Sequence, residues 1–153
     1  MKTNPPASLW IAILLAASIA VTTGASIQST SKSNSKETAA GDLKRGKYLV
    51  EEVAKCTECH TPRDAQGQLD RSRWLQGAPI WITPVHPTNS WAENAPVLAG
   101  FPSFSDADAA NILEKGVGPR GEVIRPPMHI YHLSHEDALA IVAYLRSVPS
   151  RSQ

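Results

Sequence analysis

The only two cysteines of this 153-residue chain, Cys56 and Cys59, stand three apart in AKCTECHTPRD, residues 54–64, and His60 follows the second directly. No disulfide framework can therefore hold the fold, because a bridge across so short a loop would restrain the unfolded chain very little. On one helical turn, positions i, i+3 and i+4 share a side, so both thiols and the imidazole are presented together.

Three chemistries use Cys-x-x-Cys. A thioredoxin-like dithiol sits where a strand of a βαβ unit runs into a helix, and no strand pattern precedes Cys56. Structural zinc takes four ligands, usually as two pairs; a second cysteine pair does not exist here, so distant histidines would have to be recruited. Cys-x-x-Cys-His is the signature of covalent haem attachment. Two thiols add to the two vinyl groups on one porphyrin edge, and the imidazole reaches the iron. The motif thus points to one covalently bound haem c on Cys56 and Cys59, with His60 on the metal. For the other face of the iron, Met1 belongs to the leader, which leaves Met128 as the available thioether. It lies in VIRPPMHIYHLS, a proline-stiffened stretch suited to presenting a ligand from rigid backbone. His129 and His132 compete with it, and the difference matters because a Met/His pair raises the reduction potential.

The first residues, MKTNPPASLWIAILLAASIAVTTGASI, have Lys2 near the start, an apolar run from Ala7 to Val21 and small residues after it, the layout of a secretory signal. The run is slightly short for a bilayer span, which takes about 17 to 25 apolar residues. Residues 1–25 are read as a signal peptide or an N-terminal membrane anchor, with membrane association through residues 7–23. Either reading exports the chain to the periplasm, soluble or held at the inner membrane. Residues 26–40, SIQSTSKSNSKETAA, have almost nothing to bury and read as a flexible linker. What remains, 41–150, suits one domain. From Gly41 onward 12 Lys and Arg face 13 Asp and Glu, a formal charge of −1, so no basic face for nucleic acid is present.

Within that domain DLKRGKYLVEEVAKC places Leu43, Leu49, Val50, Val53 and Ala54 at helical spacing, with Asp42 as N-cap and Cys56 at the helix end. Gly46 costs about 1 kcal/mol inside a helix relative to Ala and marks either a tolerated weak spot or a close helix crossing. Residues 64–102 lose all periodicity and are rich in proline and glycine. So long an irregular segment needs something to hold it, and Trp74, Trp81 and Trp91 would find a surface on a large flat cofactor. Ser105 with Asp108, and Gly116, bound a short helix from Asp106 to Lys115. Ser134 with Asp137 opens a last helix, HEDALAIVAYLRS, in which Leu139, Ile141, Val142 and Leu145 are apolar and which stops before Pro149. Gly116, Gly118 and Gly121 spell G-x-G-x-x-G, but after a helix and around Pro119, so they read as cap and turn. His86 and His135 read as solvent-facing, and Asp106, Asp108, Glu136 and Asp137 as helix-start charges. Arg71, Arg73, Trp74, Trp81, Arg120 and Arg125 are candidate donors to haem propionates.

Taken together, the motif, the late methionine and the closing helix make the chain resemble the class I, single-haem cytochromes c from about Asp42 to Pro149. CHTPRDAQGQLD, FPSFSDADAANILEKG and RPPMHIYHLSHEDALAIVAYLRSVP look like the membrane-associated cytochrome c modules that accept electrons from periplasmic alcohol, aldehyde or sugar dehydrogenases. The resemblance implies an all-α domain of three to five helices wrapped around one covalent haem, with a long Pro/Trp-containing loop enclosing it. It implies thioethers on Cys56 and Cys59, His60 as proximal and Met128 as distal ligand, and a crossing of first and last helices at Gly46 and Tyr144. It also implies an electron carrier with no catalytic residue, passing single electrons between redox partners, a dehydrogenase as donor and a cytochrome or oxidase of the respiratory chain as acceptor. His129 departs from the pattern, standing where members of the group often have proline, and residues 80–100 match loosely. Two other classes compete: a haem-based catalyst or gas sensor with a labile sixth ligand, and a thiol or zinc module without haem.

Overall fold

A computed structural model describes residues 42–150; the expected leader (1–25) and linker (26–40) lie outside the described residues. Four helices carry the fold. The first, α1, covers residues 42–53, α-helical over 42–48 and passing into a π-helical turn, Leu49–Val53. The others are α2 (Cys56–His60), α3 (Asp106–Lys115) and α4 (His135–Ser147). Between α2 and α3 lie a 3-10 turn, Arg71–Arg73, and a two-residue antiparallel pair of strands. In that pair β1 (Ala78–Pro79) sets Ala78 opposite Ala95 and Pro79 opposite Asn94 of β2 (Asn94–Ala95). The all-α expectation holds.

Helix ends follow their capping chemistry. Ser105 and Ser134 side chains accept from the amides of Asp108 and Asp137, each at 3.2 Å. Gly116 closes α3 in the left-handed conformation, φ 70°, with its amide on the Ile112 carbonyl, so the three-glycine pattern is indeed a cap and a turn. Asp106 and Asp137 do more than favour helix starts. Asp106 pairs with Arg146 at 2.7 Å, and Asp137 takes a bidentate pair from Arg45 at 2.9 and 3.0 Å. His135, exposed as expected, sits 2.7 Å from Glu114 of α3.

Two boundaries differ from the sequence reading. Asp42 is already helical rather than a cap, and α1 stops short of Cys56 because Lys55 turns left-handed, φ 51°. The π-turn bond from the Ala54 amide to the Leu49 carbonyl, 2.7 Å, spans five residues. It shifts the helical face, so Leu49 and Val50 are buried while Leu43 and Val53 of the same expected stripe are exposed. Leu139 of α4 is likewise exposed, and Ala138 takes the inward position.

The core joins Leu49 and Val50 of α1, Ala109, Ala110 and Leu113 of α3, and Ile141, Val142 and Leu145 of α4, with Leu75, Ala99 and Phe101 from the intervening segment. That segment is fastened mainly by its own backbone. Leu75, fully buried with φ 56°, gives its carbonyl to the amides of Leu98 (2.9 Å) and Ala99 (3.0 Å). Its amide donates to the buried hydroxyl of Thr61 at 3.0 Å.

α1 crosses α4 at Gly46. A Cβ there would lie 1.9 Å from the Ala140 carbonyl oxygen and 2.8 Å from Tyr144 Cβ. Of the two readings of this glycine, close crossing is therefore the right one. Beside it the Tyr144 hydroxyl donates to the Glu51 carboxylate. Burial first, and that hydrogen bond second, push the phenol from 10.0 up to about 12.

G46A isolates the crossing. Helix propensity alone would favour the alanine by about 1 kcal/mol, whereas overpacking the contact costs about 2 kcal/mol or more; a net loss in denaturant unfolding is expected, and a net gain would contradict the contact. Tyr144 gives a signed pH dependence. The unfolded tyrosine ionises at its ordinary value and the folded one higher, so its contribution is complete below pH 10 and lost as pH rises toward about 12. Y144F should flatten the parent's decline in unfolding midpoint over that window.

Candidate functional site

α2 is one turn long, CTECH, and its side chains open into the interior because Lys55 breaks α1 just before it. Cys56 and Cys59 are unbridged and half-buried, and His60 is buried at 7% exposure. Burial pushes the Cys56 thiol up to about 11 and raises Cys59 too, aided there by the neighbouring Glu58 carboxylate. Both are neutral thiols at physiological pH. A reactive dithiol needs a depressed thiol instead, so the electrostatics oppose the redox-motif reading.

His60 Nδ1 lies 2.8 Å from the Pro96 carbonyl oxygen. A carbonyl only accepts, so Nδ1 carries the proton and Nε2 keeps its lone pair for a metal. Burial holds the imidazole below its ordinary value, with the Pro96 bond opposing, so the ring is neutral as ligation requires. The carbonyl is held in place by its surroundings: the His60 carbonyl accepts from Gly77 at 2.8 Å, and β1 pairs with β2 directly before Pro96. Gly77, φ 78°, permits this, since a Cβ there would lie 2.8 Å from the Ala95 oxygen.

Two apolar cavities meet at this histidine. One, about 210 Å³, runs into the core between Phe101, Leu113, Ile141 and Leu145. The other, about 480 Å³, runs along α2 past Cys59, Ile80, Ala92 and Pro127. Cys56, His60, Pro96, Ile124, Met128 and Tyr131 line both. Met128 is therefore the expected sixth-ligand residue that faces both spaces. His129 is exposed, lines only the larger cavity and leans on Tyr131 with ring centroids 4.2 Å apart. His132 and His86 are exposed and line neither.

These residues fit a haem. Two neutral thiols sit on one turn, a neutral imidazole has a free Nε2, and a thioether shares a largely apolar space with them. Among the described residues no three His, Cys, Asp or Glu side chains gather as a metal site, so the zinc alternative lacks its donors.

The tryptophans are a correction. None of Trp74, Trp81 and Trp91 lines either cavity. Trp74 packs on the core beneath Arg71, whose guanidinium carbon is 4.0 Å from the ring centroid. Trp81, 60% exposed, donates to the Glu58 carbonyl at 3.3 Å and lies under Arg63. Trp91 donates to Ile82 at 3.2 Å. The Trp81 and Trp91 N–H groups thus each find a carbonyl, and these two rings brace the outside of the loop while its aliphatic residues and Pro96 line the space within. Of the six candidate propionate donors, Arg125 alone lines either of the two cavities at His60, and its guanidinium is turned to the carbonyls of residues 89–91. Arg73 is tied to Asp70 and Arg120 to Glu122.

Pro96 and Tyr131 escaped the sequence reading. A main-chain carbonyl leaves no sequence signature, but Tyr131, three residues after Met128 in a stretch already singled out, was visible there. Its hydroxyl donates to the Ala54 carbonyl at 3.3 Å, tying the Met128 loop to the turn ahead of Cys56.

Residues 43–149 match the family described as Cytochrome c. The chain is 39% identical over 121 residues to the fructose dehydrogenase cytochrome subunit of Gluconobacter japonicus, covering 73% of this chain and 23% of that protein. It is 39% identical over 123 residues to a diheme cytochrome c-type protein of Cereibacter sphaeroides, covering 72% and 38%. With the cytochrome c subunit of alcohol dehydrogenase (quinone) from Gluconobacter oxydans it shares 31% over 125 residues, covering 71% and 24%. The chain spans about a quarter to two-fifths of the length of these relatives.

Proposed function

Because the chain belongs to the cytochrome c family, we propose that it is a single-haem electron carrier in which Cys56 and Cys59 would bind haem c covalently and His60 and Met128 would be the two protein ligands of its iron. The observation that carries this reading is the shared lining of both cavities by Cys56, His60 and Met128, with His60 Nδ1 committed to Pro96. When bound, haem supplies a one-electron couple at its iron. The protein's part is to hold two ligands on rigid backbone, to keep water away with apolar walls, and to set the potential through ligand identity. His60 is oriented by the Pro96 carbonyl, a second-sphere acceptor of the kind that fixes tautomer and ring angle. Met128 follows Pro126 and Pro127, which stiffen its approach. With His60 and Met128 both held to the iron, the chain would leave no position there for a substrate, which supports a carrier rather than an enzyme.

The partners we infer are redox proteins. The related subunits of fructose and alcohol dehydrogenases support a dehydrogenase as donor, with a cytochrome or oxidase of the respiratory chain as acceptor. Export to the periplasm, with residues 1–25 as a removed signal or a retained anchor, is proposed from the sequence of that segment. Among the described residues no helix is long and apolar enough to cross a membrane.

The ferric absorption spectrum of matured protein tests the ligand set. The parent should show a thioether–iron charge-transfer band and, once reduced, should resist carbon monoxide. M128A should lose the band and bind carbon monoxide rapidly, and M128H should lower the reduction potential by roughly 0.1 V or more, within the ~0.8 V that axial ligands span. A parent without the band that binds carbon monoxide at once would favour the sensor or catalyst reading.

A further inference from the structure

We propose that Arg125 is a positioning residue that latches the Met128 loop shut, an inference that rests on Met128 being the sixth ligand. Its guanidinium reaches across the chain to three successive carbonyls: Nε donates to Ser90 at 3.1 Å, and Nη2 to Trp91 at 2.7 Å and more weakly to Asn89 at 3.4 Å. Backbone alone closes this junction poorly. Pro126 and Pro127 have no N–H, and among the described residues one main-chain hydrogen bond joins the two stretches, Ala92 to the Pro126 carbonyl at 2.7 Å. The side chain thus supplies the donors that the two prolines remove, three residues before the ligand.

The far side of the latch is itself fixed. Ser90 is held by Thr88, hydroxyl to hydroxyl at 2.8 Å, and Trp91 by its indole on Ile82. Ala92, next along, lines the larger cavity together with Met128. Opening this seam would separate the Met128 loop from the opposite wall without disturbing the packed helices, because none of the atoms involved belongs to the core. The three carbonyls are in exposed surroundings, so removing the guanidinium leaves them to water rather than buried and unpaired. The expected consequence is local: the loop opens more often while the global fold keeps most of its stability. Lysine is a poor substitute, since a single ammonium cannot reproduce the fixed fork that spans successive acceptors.

The test measures imidazole binding to the ferric holoprotein, following the limiting rate at saturating imidazole, which reports how often the iron's sixth position is uncovered. R125Q should raise that rate at least about tenfold, the size of one lost charge-assisted hydrogen bond. R125K should fall between parent and R125Q, and both should keep the parent's unliganded spectrum and a denaturation midpoint close to the parent's. R45Q, which cuts the exposed Arg45–Asp137 pair away from the cavities, should leave the imidazole rate within about twofold of the parent. If the parent shows the thioether–iron band and R125Q binds imidazole at the parent's rate, the latch is refuted alone. Equal acceleration in R125Q and R45Q would refute it as well, since the effect would then be general loosening. A parent without the band refutes the ligand assignment and the latch together.

Discussion

The hydrogen bond between His60 Nδ1 and the Pro96 carbonyl is the point through which the rest of the molecule is organised. The imidazole is buried, so its N–H needs a partner, and the main chain that provides one comes from 36 residues further on. To bring that carbonyl into place the irregular segment has to be folded back on α2. Gly77 on His60, Leu75 on Thr61, and β1 on β2 all serve that end. What looks in sequence like a structureless loop is a clamp around one ring, and the clamp leaves the other ring nitrogen free at the junction of two cavities.

The helical frame answers a different need. A cofactor wedge between two halves of a small domain would weaken its core, and α1, α3 and α4 offset this by packing away from the slot. Gly46 lets the α1 backbone approach the α4 backbone at Ala140, and small residues at Ala109, Ala110 and Ala138 bring α3 and α4 together. Leu113, Ile141 and Leu145 then serve both tasks, facing the helical core on one side and the smaller cavity on the other. The Met128 loop meets the core at its edge, through Tyr131, and relies otherwise on a few directed polar contacts, those of Arg125 and of the Tyr131 hydroxyl among them. That contrast is the physical basis for expecting ligand exchange without unfolding.

How much of this was legible beforehand depended on the reach of each interaction. Local chemistry was read well. The serine caps and the glycine stop place α3 and α4 at the bounds their sequences imply, since each depends on residues within one turn. The Cys-x-x-Cys-His turn is similarly local, so Cys56, Cys59 and His60 appear where expected, at one cavity wall. Non-local placement was not legible. Nothing near Pro96 marks its carbonyl as a partner for His60, and nothing around Trp81 or Trp91 says that their indoles seek carbonyls instead of the cavity. A lone residue in an unfavoured conformation defeats periodicity in the same way. Lys55 at positive φ and the π-turn before it shift α1's buried face by one position, which the spacing of Leu43, Leu49, Val50 and Val53 does not record.

The central claim is that the α2 turn holds one haem through two carbon–sulfur bonds. Intact-mass determination of the matured chain after full denaturation and organic extraction addresses it directly. The account predicts the polypeptide mass increased by that of one haem. It also predicts that replacing either cysteine alone leaves the group attached by a single bond, and that replacing both releases it. A denatured parent chain at the bare polypeptide mass, with all haem in the organic phase or none found, would contradict it.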